Sequence, residues 1–410
     1  MNRERLLRLL RGRLIYVKIV TAAIWLTWLV SIASTGFQKD AEGHSIGTDH
    51  VAFYSAARLV YEGRGVLMYD YHFLAQYQPR LTDHDGGFLD AYRNPPFYAL
   101  LYVPSAMLPY IWSFWIWTAI SLALLGLGIG WLNSEHRFSA FLLSLSFFPI
   151  SSVFGFGQNS LLSFGILCLC FRFLDRGYRF WAGVIAGFVL YKPQLLLGLG
   201  LWWLLSIRRY WPCFMGLGVT SLFWAVLSVL FVPEETRLFI AKMKEIAEYD
   251  CFMFWNMHNP RGFGVLIAYD DKEVGKIVGL IALFAAVVFF GFFWRKHRGE
   301  PAVMFAVAIF LTLWASPHTM IYEWSLAIIP AVLLWERVPE KRDDWRLIFA
   351  LAWIALMIST PIARFLFEST QDAHGHGWAI QLSVPVLGII GIWAARVLRG
   401  TETTRSDNNP

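Results

Sequence analysis

Charge is scarce in this sequence. Only 16% of its 410 residues are Asp, Glu, Lys or Arg, against 57% hydrophobic and 17% aromatic, and the mean hydropathy is +0.49. A soluble globular chain carries roughly a quarter charged residues. No long polar block stands apart, which excludes a string of separately folding soluble domains and points to a single integrated membrane domain over 1–400. Cysteine is sparse too. Cys168, Cys170, Cys213 and Cys251 form no C-x-x-C pair, which argues against a zinc site or a disulfide framework. The first three sit in or beside apolar runs and read as small core residues. The chain also lacks a P-loop, a G-x-S-x-G elbow, an H-E-x-x-H helix and the Rossmann glycine pattern. Nucleotide chemistry is therefore not expected, and an activated substrate would have to arrive as a lipid. The net charge of +6 is no sign of nucleic acid, because Lys and Arg in such a chain mark cytoplasmic loops and lipid phosphates.

What is present is a succession of apolar runs. Arg3, Arg5, Arg8, Arg11, Arg13 and Lys18 precede or open the first, near 14–36, and keep the N-terminus cytoplasmic. No small-residue cleavage site follows it, so it reads as a retained anchor. Further spans are expected near 111–132, 139–154, 160–174, 180–191, 195–207, 211–232, 275–294, 301–316, 319–335, 346–362 and 378–398, making about twelve in all. This assignment puts the basic loops at His136/Arg137, Arg176/Arg179, Arg208/Arg209, Arg295/Lys296/Arg298 and Lys341/Arg342 on the cytoplasmic side with both termini, and leaves 401–410 as a disordered tail. The fold class is all-α, a polytopic bundle.

Residues 37–110 form the first outer loop and 233–274 the second. Within the first, 50–62 has helical spacing. Phe53, Ala56, Ala57 and Val60 make an apolar face opposite His50, Tyr54, Arg58 and Glu62, the pattern of a juxtamembrane helix lying in the interface plane. The apolar piece ending near Pro109 is too short to span. In the second loop, Glu234 to Asp250 has Phe239, Met243 and Ile246 on one face. Short outer junctions fall at Gly157-Gln158-Asn159, Lys192-Pro193-Gln194 and Ser316-Pro317-His318. Polar residues at membrane depth thus collect on the side that carries Asp49.

Each has two readings. Asp49, at the start of its helix, either accepts a hydroxyl proton as a general base or caps backbone N–H groups. Lys192 either meets a phosphate or snorkels from a helix end. Gln158, Asn159 and Gln194 either bond sugar hydroxyls or shape turns. His318 binds phosphate or is structural. Arg93 and Arg261 bind phosphate bidentately or pair with lipid headgroups. Arg261 lies in Asn256-Met257-His258-Asn259-Pro260-Arg261-Gly262, a dense polar stretch whose His258 and Asn259 are further substrate candidates, as are Tyr54 and Arg58. Asp70 is a second-choice acid. Asp83, His84, Asp85 and Asp90 read as a solvated loop rather than a metal site.

The ordered set GTDHVAFYSAARLVYEGRGVLMYD, YRNPPFYALLYVPSAMLP, GQNSLL and AGFVLYKPQLLLG resembles glycosyltransferase family 87 of the GT-C superfamily, over residues 15–335. The resemblance implies a multi-span helical bundle with juxtamembrane helices in the first outer loop. It implies a polyprenyl-phosphate sugar donor, typically mannose, and a lipid or glycan acceptor. It implies an aspartate base in the first outer loop, matched by Asp49. Neither an essential metal nor a cofactor is expected. By motif position it extends to Lys192, Gln158 and His318. The expected enzyme works at the outer face of the plasma (inner) membrane. A competing class is a transporter or flippase of lipid-linked sugars, which the broken helix at Pro193 also fits.

Overall fold

Long apolar runs cannot leave backbone polar groups unpaired in a bilayer, and helices pair them internally. The structure, a computed structural model, describes residues 14–37, 39, 45–82, 90–132, 134–248 and 253–406. Among these residues every extended element is a helix, apart from the isolated bridges Lys39–Ser45 and Met257–Met320. The helices are α1 (Leu14–Ala33), α2 (Thr48–Tyr61), α3 (Tyr71–Thr82), α4 (Pro96–Ala106), α5 (Tyr110–Trp131), α6 (Arg137–Leu145), α7 (Phe148–Phe156), α8 (Ser160–Asp175) and α9 (Arg179–Gly187). They continue with α10 (Leu197–Leu205), α11 (Ile207–Phe231), α12 (Pro233–Glu248), α13 (Pro260–Ile267), α14 (Lys272–His297), α15 (Pro301–Ala315), α16 (Ile328–Arg337), α17 (Arg342–Thr370) and α18 (Ser383–Ser406).

By length and composition, α5, α11, α14 and α17 can cross a membrane, and the α6–α7 pair would make a fifth if counted as one span. Their outer faces carry Leu222, Val229, Leu230, Leu280 and Phe284, all largely exposed, as lipid-facing residues must be. This is a membrane protein, but helix length does not confirm twelve spans. Several expected spans are short or broken, and the breaks have local causes. The run 139–154 bends by 66° between α6 and α7, where Pro149 opens the new helix. The run 180–191 leaves the helix at Gly187 and turns, and Pro193 starts a 3-10 turn, Pro193–Leu196, before α10. The run 319–335 begins as a 3-10 helix, Ile321–Ala327, and only then becomes α16. At the C-terminus, 401–406 continue α18 rather than forming a disordered tail.

The loops expected on the cytoplasmic side meet one another. Arg337 pairs with Asp175 at 3.0 Å, Ser134 donates to Glu336 at 2.8 Å, and the Trp294 indole donates to Ser206 at 2.7 Å. Arg179 lies 5.9 Å from the Tyr210 ring centroid. The polar junctions lie at the opposite ends of the same helices, so the polar groups separate into two ends as the charge pattern requires.

The segment expected as the first outer loop builds its own core. Phe53, Ala56 and Ala57 are buried as expected, but so are His50 and Tyr54 from the opposite face. Helix α2 is therefore enclosed by protein on both faces. Tyr98 and Tyr102 of α4 close over it, the Phe53 and Tyr102 rings stacking at 5.3 Å. From the second loop, α12 buries Ile246 and sets Phe239 5.6 Å from Tyr69, whereas Met243 is exposed.

Helices α9 and α11 pack through small residues, the usual device for close approach in a bilayer. A Cβ on Gly216 would fall 2.1 Å from the Phe180 carbonyl oxygen, whereas one on Gly218, on the same helix, meets nothing within 4 Å. Gly216→Ala should lower thermal stability in detergent by about 1–3 kcal/mol equivalent through overpacking. Gly218→Ala should be neutral or stabilising by up to about 1 kcal/mol. Equal melting shifts for the two variants would contradict the packing described.

Candidate active site

Two glycines bring the site together. Gly47 precedes α2 with φ 73°, and Gly157 ends α7 with φ 66°, both in the left-handed region that side chains disfavour. A Cβ on Gly157 would lie 2.7 Å from His50 Cβ and 3.3 Å from Gly47 Cα. The two turns touch backbone to backbone, and that contact places the first turn of α2 beside Gln158. The His50 ring behind it bonds Ser113 at 3.0 Å and is fully buried.

Asp49 lies in the first turn of α2, but it is not the cap. Gly47 holds that position, with no side-chain capping bond. The Asp49 carboxylate instead accepts a hydrogen bond from Gln158 Nε2. Gln158 Oε1 accepts from Lys192 Nζ at 3.4 Å and from the Asn159 backbone at 3.1 Å. Lys192 Nζ donates to Glu323 Oε1 at 2.6 Å and lies 5.4 Å from the Tyr322 ring centroid. Glu323 Oε2 accepts from the Met320 backbone at 2.8 Å. A continuous chain of polar contacts thus runs from Asp49 through Gln158 and Lys192 to Glu323. It links α2 to the breaks after α7, after α9 and before α16.

Asp49 is only partly covered, yet surrounded closely enough that desolvation pushes its pKa up to about 6, against the opposing pull of bonds from Gln158 and Asp90 and of the Lys192 charge. Asp90 lies beside it, and burial and the Asp49 charge raise its pKa well above the usual carboxylate range. On the other flank, His318 is held to about 3, first by burial and then by the charges of Arg93, Lys192 and Arg261. Those three cations therefore share one neighbourhood with a neutral imidazole. Arg261 also reaches the Pro317 carbonyl at 3.5 Å.

The remaining sequence candidates divide. Gln194 follows Lys192 on the 3-10 turn and is half-buried. Asn159 is fully buried, and its side-chain amide has no hydrogen-bond partner among the described residues. Four others are occupied by the fold. The Tyr54 hydroxyl donates to the Leu108 carbonyl at 2.8 Å, and Arg58 bonds the Ala106 carbonyl and Glu62. His258 is clamped between Ser383 at 2.6 Å and Thr360 at 2.7 Å. Asn259 caps α13 through the Gly262 N–H and donates to the Ser316 carbonyl. Each satisfies backbone or core polar groups that would otherwise be stranded, so these four position the fold rather than face the site. Asp70 likewise caps the start of α3, through the Phe73 N–H, at an exposed position.

Sequence reasoning passed over two acids. Glu323 is 2% exposed inside an apolar run, and an ionisable residue in such a run was the available signal. Asp90 is no part of a solvated loop; Asp83, His84 and Asp85, read with it, lie outside the described residues, as does Cys251, while Cys168, Cys170 and Cys213 are buried as expected. Among the described residues, Glu135, His136 and Glu336 bring potential ligand atoms within 4.8 Å of one another. That group lies at the far end of the segment running from Glu323 to Arg337, away from Asp49.

The Lys192–Glu323 pair is almost wholly removed from solvent, at 11% and 3% side-chain exposure. Removing one partner leaves an uncompensated charge. Lys192→Met alone should cost roughly 3–5 kcal/mol of stability, and Lys192→Met with Glu323→Leu should recover most of it. Melting curves of the single and double variants check this, and a double variant no better than the single would show the pair is not coupled.

Residues 92–317 match the model of glycosyltransferase family 87, and this is more than half of the chain. No curated protein and no solved structure matches it. The matched stretch contains Arg93, Gln158, Lys192 and Arg261; Asp49 and Asp90 precede it and His318 follows its last residue. With an all-helical membrane architecture and polar groups gathered around one carboxylate, the chain belongs to glycosyltransferase family 87 and is a membrane glycosyltransferase.

Proposed function

We propose that the protein transfers a sugar, mannose, from a polyprenyl-phosphate donor to a lipid or glycan acceptor at the outer face of the plasma membrane, with inversion at the anomeric carbon. One observation carries the reading. A carboxylate with a pKa of about 6 stands at one end of a polar chain whose other flank gathers Arg93, Lys192, Arg261 and His318. A base with a set of cations on the other flank suits a hydroxyl nucleophile and a departing phosphate.

The chemistry follows in one displacement. Asp49 takes the proton of the acceptor hydroxyl as its oxygen attacks the anomeric carbon. The bond from that carbon to the phosphate oxygen breaks, and the phosphate leaves with the electron pair. Charge developing on the phosphate is met by preorganised cations, Lys192 foremost, with Arg93 and Arg261 beside it. His318, kept neutral among them, can donate a hydrogen bond without adding charge. A phosphate is a good leaving group, so no second carboxyl acid is required to protonate it, unlike the pair in a glycosidase. Gln158 holds Asp49 on one side and contacts Lys192 on the other, and so fixes the distance between base and cation.

The donor's polyprenyl tail remains in the bilayer and its head enters from the side. The polar groups gather at the end of the bundle away from the basic loops, which supports catalysis on the outer face with both termini cytoplasmic.

The test uses membranes containing the full chain, labelled polyprenyl-phosphate mannose and lipid extract. Asp49→Asn should lower the rate of glycolipid formation by at least about 100-fold. Asp49 works only when ionised, so the wild-type rate should fall about tenfold per pH unit as pH drops below 6 and level off above it. Unchanged turnover in Asp49→Asn would sink the mechanism. Translocation of labelled donor without product would favour a transporter.

A further inference from the structure

Asp90 has no task in the displacement just described, yet its setting is built. Gln78, 1% exposed, grips the Asp90 backbone at both ends: its Nε2 donates to the Asp90 carbonyl at 2.8 Å and its Oε1 accepts from the Asp90 N–H at 2.9 Å. The same Nε2 donates to Ser55 at 3.1 Å, on the helix that carries Asp49. One buried amide therefore ties Asp90 to α2 and holds the two carboxyls together. Asp90 Oδ2 is buried and has no hydrogen-bond partner among the described residues. A carboxylate oxygen left in that state is costly, and two neighbouring buried carboxyls do not both ionise. A proton on Asp90 resolves both problems, because it removes one of the two charges and supplies a donor between the two carboxyls.

We propose that Asp90 is a positioning residue: it stays a neutral acid and donates a hydrogen bond to the Asp49 carboxylate, holding that oxygen pair toward the acceptor hydroxyl. The proposal rests on Asp49 as the base. Gln158 then donates to Asp49 from one side and Asp90 from another. In the reaction the acceptor O–H breaks and an Asp49 O–H forms; Asp90 keeps its proton throughout. The charged and titratable groups facing the pair are Lys192 and Glu323 toward Asp49, Arg93 toward Asp90, and Tyr110 and Tyr322 toward both. Burial favours the neutral form of Asp90, and Arg93 opposes it without displacing the Asp49 contact.

The amide of Asn reproduces a protonated carboxyl, so two variants separate the proposal from a charged role. Asp90→Asn should keep kcat/KM within about threefold of wild type at pH 7, while Asp90→Leu, which removes the donor, should lose at least about tenfold, mostly in kcat. Independently of activity, infrared difference spectra of the full chain at pH 7, wild type minus Asp90→Asn, should show the carbonyl stretch of a protonated carboxylic acid. Loss of activity in Asp90→Asn equal to that in Asp90→Leu would overturn the proposal, as would an infrared difference showing an ionised carboxylate. The infrared reading stands whatever Asp49 does. An active Asp49→Asn would instead remove the base reading itself.

Discussion

The Lys192–Glu323 ion pair is the contact on which the site depends. Two charges almost withdrawn from solvent are tolerated only when each has partners, and here Lys192, Glu323 and Gln158 come from three different breaks in the helical bundle. Lys192 follows the turn after α9, Glu323 sits in the 3-10 helix before α16, and Gln158 ends the turn after α7. A helix that ran unbroken through any of these points would satisfy its own backbone and carry the polar side chain elsewhere. The short segments at 179–187, 193–205 and 321–337 are thus part of how charge is gathered at membrane depth. Irregular backbone is allowed there because protein, rather than lipid, surrounds it.

The segment before α5 contributes its acid by a different route. Its helices form a separate aromatic core, with Tyr98 stacked on Tyr191 at 4.2 Å and thereby fastened to the segment that carries Lys192. Two glycine turns in contact then set Asp49 against Gln158. Asp49 is held through side-chain bonds from outside its own helix, and this leaves its carboxylate partly open. A capping role would have turned the same group inward to backbone N–H donors.

Desolvation divides labour among the ionisable groups. Asp49 is raised only to about 6 because Gln158, Asp90 and Lys192 oppose burial. His318, desolvated and facing three cations, is held neutral. Membership of glycosyltransferase family 87 supplies the reaction class, and this distribution of charge is what makes a base-and-phosphate arrangement chemically coherent.

Composition and periodicity by themselves determined the membrane class, the all-helical fold, helix α2 and the separation of basic loops from the polar junctions. These depend on local hydrophobicity and spacing, which the chain carries in order. The motifs also singled out Asp49, Gln158 and Lys192, because polar residues at breaks in apolar runs are conspicuous. Tertiary structure alone decided how these residues are used. It withdrew Tyr54, Arg58, His258 and Asn259 into structural bonds, since their partners are carbonyls and hydroxyls distant in sequence. It added Glu323, which lies 131 positions from Lys192, and Asp90, whose neighbours had the look of a solvated loop. It also broke runs that hydropathy reads as continuous, because hydropathy records how apolar a segment is and not where its backbone bends. Which charge meets which is settled by packing between segments far apart in the chain, and no local pattern contains that information.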